Sequence, residues 1–134
     1  MNAIAPLKPS AARSQDAKVF IVEDDHAVSD SLSQLLGMQG YRTSSFPSAE
    51  AFLAALSPDS SGCAILDIRL PGVSGLELQA TLTERHIDLP VIIITGYSTE
   101  SSAIEAVNLG VAGYLTKPFR VPQVLAAAAK ALGE

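Results

Sequence analysis

The 134-residue chain has no tryptophan, a single cysteine and no run of basic residues. Each shortage removes a class of protein. A lone Cys63 excludes an internal disulfide framework, and its neighbours Ala64, Ile65 and Leu66 mark it as an inert core thiol. Without a Lys/Arg cluster there is no electrostatic footprint for direct nucleic-acid binding by this chain. The most hydrophobic run, Val91-Ile92-Ile93-Ile94, is far shorter than the roughly 20 residues a bilayer demands, so no membrane partner is expected. The N-terminus also lacks the apolar stretch of a signal peptide, and a cytoplasmic location is the simplest reading.

What is present is a globular composition. Hydrophobic residues make up 48% of the chain, enough at this length to bury one substantial core. The formal charge is -5, and three of those negative charges fall in one pattern described below. Residues 1–17 are rich in Ala, Pro and Ser and lack an apolar period, which reads as a flexible leader. From Lys18 onward, short apolar runs alternate with segments of helical period, and residues 18–134 divide into five βα units around a parallel sheet.

The strands are expected at residues 19–22, 41–46, 63–67, 91–95 and 113–116. The second is the most polar and suits a sheet edge. The fourth is the most apolar and suits burial on both faces. Helical faces are expected at Val28, Leu32, Leu35 and Leu36, at Ala49, Phe52, Leu53 and Leu56 after a Ser48 cap, and from Ser74, where Ser74 and Glu77 match a capping box. A fourth helix is expected over residues 98–109, stopping at Gly110. A fifth carries Val121, Val124, Leu125, Ala128 and Leu132 on one side.

Four of these strands stop at a polar group of a different kind: Glu23-Asp24, Asp67, Thr95 and Lys117. In an open parallel sheet, ligands bind in the crevice beyond the carboxyl ends of the strands, so these groups converge. Two carboxylates about 4 Å apart repel by roughly 4 kcal/mol at an effective dielectric near 20. A fold seldom retains such a cluster without a cation or a bound proton. Oxygen ligands alone, with no cluster of His or Cys, select Mg²⁺ or a close substitute. The Thr95 hydroxyl, followed by Gly96, is expected to reach a ligand with little steric cover, and the Lys117 ammonium to neutralise the acids or contact a phosphoryl oxygen.

The segments Val22-Glu23-Asp24-Asp25, Leu66-Asp67-Ile68-Arg69-Leu70-Pro71-Gly72, Ile94-Thr95-Gly96 and Tyr114-Leu115-Thr116-Lys117-Pro118-Phe119 resemble the receiver domain of two-component response regulators. The likeness is greatest to the FixJ-like transcriptional regulators. It implies a doubly wound flavodoxin-like α/β domain with strand order 2-1-3-4-5, an order that general accounts of such sheets illustrate with this same family. It also implies that Asp67 accepts a phosphoryl group from a sensor histidine kinase or phosphotransfer protein, as a phosphoacceptor and not a turnover enzyme. By the same resemblance Asp24, Asp67 and the backbone carbonyl of Arg69 ligate Mg²⁺ and Glu23 holds it through water. Thr95 and Tyr114 form a switch, Lys117-Pro118 is cis, and Arg69 and Tyr97 tune dephosphorylation.

The implied output surface is the fourth helix, fifth strand and fifth helix, a candidate homodimer interface on phosphorylation. Control of transcription would then pass through a DNA-binding domain absent from this chain. The alternative is a stand-alone regulator acting by protein–protein contact. Asp25 and His26 are read as surface residues, and His86 as lying after the third helix, remote from the strand ends. A hydrolase of the haloacid-dehalogenase type does not fit, because the candidate nucleophile follows the third strand and the residue two later is Arg69.

Overall fold

Period-two burial in the strands divides the core into two layers. Val19, Ile21, Cys63, Ile65, Ile92 and Ile94 face one way, whereas Phe20, Val22, Ala64, Leu66, Val91 and Ile93 face the other. Both faces are apolar, so helices must cover both. The structure is a computed structural model that describes residues 18–96 and 98–134. The expected leader, residues 1–17, and Tyr97 lie outside the described residues.

The strands are β1 (Lys18–Val22), β2 (Arg42–Phe46), β3 (Gly62–Asp67), β4 (Val91–Thr95) and β5 (Gly113–Thr116), all parallel in the order β2-β1-β3-β4-β5. The helices are α1 (His26–Met38), α2 (Ala49–Ala55), α3 (Gly75–Glu84), α4 (Glu100–Asn108) and α5 (Val121–Ala131). Leu32 and Leu36 of α1 and Val124 and Ala128 of α5 fill one layer. Phe52 of α2, Leu78 and Leu82 of α3 and Ala106 of α4 fill the other. This is the doubly wound fold the sequence implies, and β2 takes the expected edge.

Every residue of β4 is buried, as expected, between β3 and β5. Two details differ from the sequence reading. Helix α4 begins at Glu100, two residues late, because the Thr99 hydroxyl accepts from the Ser102 amide and fixes Thr99 as the cap. Val121, expected on the buried side of α5, is 52% exposed because it stands in the first turn, outside the packed stripe.

Two glycines set the geometry beneath the site. Gly62 has φ +121°, and a Cβ there would run into the Lys18 carbonyl, so β1 and β3 meet closely only with glycine at that position. A Cβ on Gly75 would strike the Asp67 carbonyl, so the bare backbone lets α3 start directly behind β3. Among the described residues no helix is long and apolar enough to cross a membrane.

Candidate functional site

Pairing of β1 with β3 ends at Val22 opposite Leu66, which leaves Glu23 and Asp67 one step beyond on adjacent strands. The Glu23 amide donates to the Phe46 carbonyl at 3.1 Å and holds the β1 end in place. One ligand oxygen each from Glu23, Asp24 and Asp67 lies within 4.8 Å of the others. Asp24 is exposed, whereas Glu23 and Asp67 are 2% and 5% exposed.

Lys117 arrives from the end of β5, where its amide donates to the Thr95 carbonyl at 2.8 Å. Its Nζ donates to Glu23 Oε1 at 2.8 Å and to Asp67 Oδ2 at 3.0 Å. The other Glu23 oxygen accepts from the Asp25 amide at 3.1 Å, and Asp67 Oδ1 accepts from the Arg69 amide at 3.0 Å. The Lys117-Pro118 bond is cis, as the resemblance implies. An open cleft of about 330 Å³ lies over the acids, with Arg69, Gly96 and Lys117 on its walls.

Burial pushes the Glu23 carboxyl above its usual pKa, and the Lys117 ammonium and Asp25 amide pull it partway back. Burial also works against the Lys117 charge, but the hydrogen bonds to Glu23 and Asp67 outweigh it and raise its pKa. An ammonium held between two carboxylates neutralises part of a pocket that still carries excess negative charge. Such a pocket can take a hard cation on its acid side and an anionic group on its ammonium side.

Thr95 corrects one expectation. Its residue is wholly buried (0% exposed), so the hydroxyl does not stand open beside Gly96. The cause is its position between β3 and β5, where β4 is covered to its last residue. Tyr114 is half-buried on β5, and its hydroxyl lies 3.0 Å from Ser98 Oγ and 3.1 Å from Ser102 Oγ. His26 is exposed at the first position of α1, and His86 is exposed beyond α3 with φ 58°. Neither belongs to the acid cluster.

Some working residues escaped sequence reasoning. Asp25 does more than sit on the surface, since its carboxylate caps α1 by accepting from the amides of Ala27 (2.9 Å) and Val28 (3.3 Å). An Asp just before a helical period carries that signal. No comparable signal marks Ser98 and Ser102, whose partnership with Tyr114 depends on tertiary position.

The model of the response regulator receiver domain matches residues 19–129. Response regulator protein TmoT of Ectopseudomonas mendocina is 40% identical over 118 residues, covering 88% of this chain and 54% of that protein. Transcriptional regulatory protein FixJ of Azorhizobium caulinodans is 42% identical over 115 residues, covering 86% of this chain and 54% of that protein. The chain therefore spans about half the length of these curated relatives. The crystal structure of FixJ-N superposes with a TM-score of 0.81 at 37% identity, covering 90% of this chain and 97% of that one. Because the family match runs from β1 into α5 and takes in every strand end that builds the acidic pocket, this chain belongs to the response regulator receiver domain family.

Proposed function

We propose that residues 18–134 form a single phosphoacceptor unit in which Asp67 receives a phosphoryl group from a phosphohistidine. The donor would be a sensor histidine kinase or a phosphotransfer protein, and the transfer would take place in the cytoplasm. The observation that carries this reading is the clamping of a nearly buried Asp67 between the Lys117 ammonium and the Arg69 amide at the floor of an open cleft. In the transfer, an Asp67 carboxylate oxygen forms a bond to phosphorus as the phosphorus–nitrogen bond breaks, and the imidazole retains the electron pair. Positioning and charge stabilisation dominate such transfers.

The donor set fits Mg²⁺, because it consists of carboxylate oxygens close enough to share one small ion. Glu23, Asp24, Asp67 and the Arg69 carbonyl would hold it, Glu23 through water. When bound, it supplies positive charge beside the phosphoryl oxygens. Lys117 is already within reach of Asp67 and would turn toward those oxygens on the opposite side. The Thr95 hydroxyl would move from its buried place toward the phosphoryl group, and Tyr114 would leave Ser98 and Ser102 and turn inward. The surface of α4, β5 and α5 would change in consequence and could pair with a second copy. Relatives of about twice the length, one of them named a transcriptional regulatory protein, support an output in transcription, which would run through a DNA-binding domain.

Incubation with acetyl phosphate and Mg²⁺, followed by intact mass measurement, tests the assignment. The expected result is one added phosphoryl group in the wild type, none without Mg²⁺ and none in Asp67→Asn. An adduct that persists in Asp67→Asn would move the acceptor elsewhere.

A further inference from the structure

Helix α4 is held differently from its neighbours. Of its residues only Ala106 is buried, while Ile104 is 54% and Val107 75% exposed. A short helix with so little apolar burial belongs to the least stable part of a fold. Polar ties secure both of its ends. At the start, the Tyr114 hydroxyl bridges Ser98 and Ser102. At the finish, Gln79 Nε2, reaching across from α3, donates to the Leu109 carbonyl at 3.4 Å.

Gln79 is only 9% exposed, and its Oε1 is buried with no hydrogen-bond partner, alone in this among the described side-chain atoms. A buried amide with an unpaired acceptor is a poor choice for stability, because an apolar side chain of similar length avoids the desolvation penalty. Reversing the amide does not help, since it would set Oε1 against the Leu109 carbonyl. The carboxamide earns its place only by the donor it offers to the end of α4.

We infer that Gln79 is a positioning residue, a detent that pins the C-terminal end of α4 in the arrangement seen here and lets go when that helix shifts. The link from this pin to phosphorylation rests on the phosphoacceptor reading above; the pin itself does not. The side chain lies on α3, which begins behind Asp67, and its hold is on the element that also carries the Tyr114 tie. The pin thus ties the helix that starts behind Asp67 to the C-terminal end of α4.

The test is Gln79→Met, with Gln79→Leu as a second apolar variant, read first by amide hydrogen exchange and thermal melting. The amides of Leu109, Gly110 and Val111 close the end of α4 through Glu105, Val107 and Ala106. They should exchange about fivefold faster, the factor one ordinary hydrogen bond imposes on an equilibrium. The Ile87 and Leu132 amides, at the ends of α3 and α5, should not change, and Tm should not fall. Unchanged exchange at Leu109, Gly110 and Val111 would overturn the inference. So would a lowered Tm with acceleration spread equally to Ile87 and Leu132, the mark of a merely structural residue.

The second readout is beryllofluoride, a phosphoryl mimic, titrated with Mg²⁺. Loss of the pin should tighten its apparent affinity about fivefold, because less of the resting arrangement must be displaced. Equal affinity in variant and wild type would break the link to phosphorylation. A wild type that binds no beryllofluoride would count against the phosphoacceptor reading, while the exchange result would still decide the role of Gln79.

Discussion

Replacing Lys117 by methionine should strand the two buried carboxylates it now bridges. The ammonium lies 2.8 Å from Glu23 and 3.0 Å from Asp67. Removing one partner of a buried ion pair costs about 3–5 kcal/mol, because the surviving charge loses its compensation. The Lys117 side chain is 25% exposed, so water already screens part of the attraction. We expect a loss of about 2–4 kcal/mol at pH 7, or roughly 10 °C in Tm for a domain of this size.

The loss should depend on pH with a definite sign. Burial places the folded-state pKa of Glu23 above its ordinary value of 4.5, and Lys117 restrains that rise. A raised carboxyl stabilises the fold fully below its unfolded pKa and less as pH climbs through the folded value. Without the ammonium the folded value climbs further. The variant should thus recover stability relative to wild type as pH falls from 7 toward 4.5. Thermal unfolding followed by circular dichroism at both pH values measures this. Equal stability of the two proteins at pH 7, or an equal deficit at both pH values, would refute the argument.

Three further outcomes follow from other parts of the fold. Cys63 is fully buried with its pKa pushed up to about 12 from 9.0, first by burial and then by Glu134. Its contribution to stability is present below pH 9 and is lost as pH rises toward 12, with a slope of up to about 1.4 kcal/mol per pH unit; alkaline denaturant melts of Cys63→Ala should lose that slope, and an identical slope would disprove it. Gly62→Ala forces a methyl group into the Lys18 carbonyl at a positive φ, so soluble folded protein should be greatly reduced and any that folds should melt several degrees lower. Ser74→Ala removes the hydroxyl that accepts from Glu77 at 3.0 Å and should cost about 1 kcal/mol in urea unfolding.

Strand ends were legible in the sequence because each couples a short apolar run to a single abrupt polar residue. The capping box at Ser74 was legible because both of its partners lie within one helical turn. Thr95 was misjudged in exposure for the opposite reason. Whether a hydroxyl at a strand end meets solvent depends on the neighbouring strands, and these come from distant parts of the chain. The same holds for Gln79, whose partner carbonyl lies 30 residues away, and for the Tyr114 hydroxyl. The start of α4 was placed early because Ser98 and Thr99 are both good caps, and local pattern does not choose between them. Convergence of Glu23, Asp67 and Lys117 was expected from the sheet order, but the double hydrogen bond of the ammonium required coordinates.

Glu23, Asp24 and Asp25 are consecutive acids in three different environments. The first is sealed inside and joined to Lys117, the second opens to solvent, and the third closes the end of a helix. Chemical similarity among them therefore offers no redundancy. Deleting any one residue of this triplet would slide each remaining carboxylate into a neighbour's environment, so the segment should be far less forgiving of a change in length than of a change in composition.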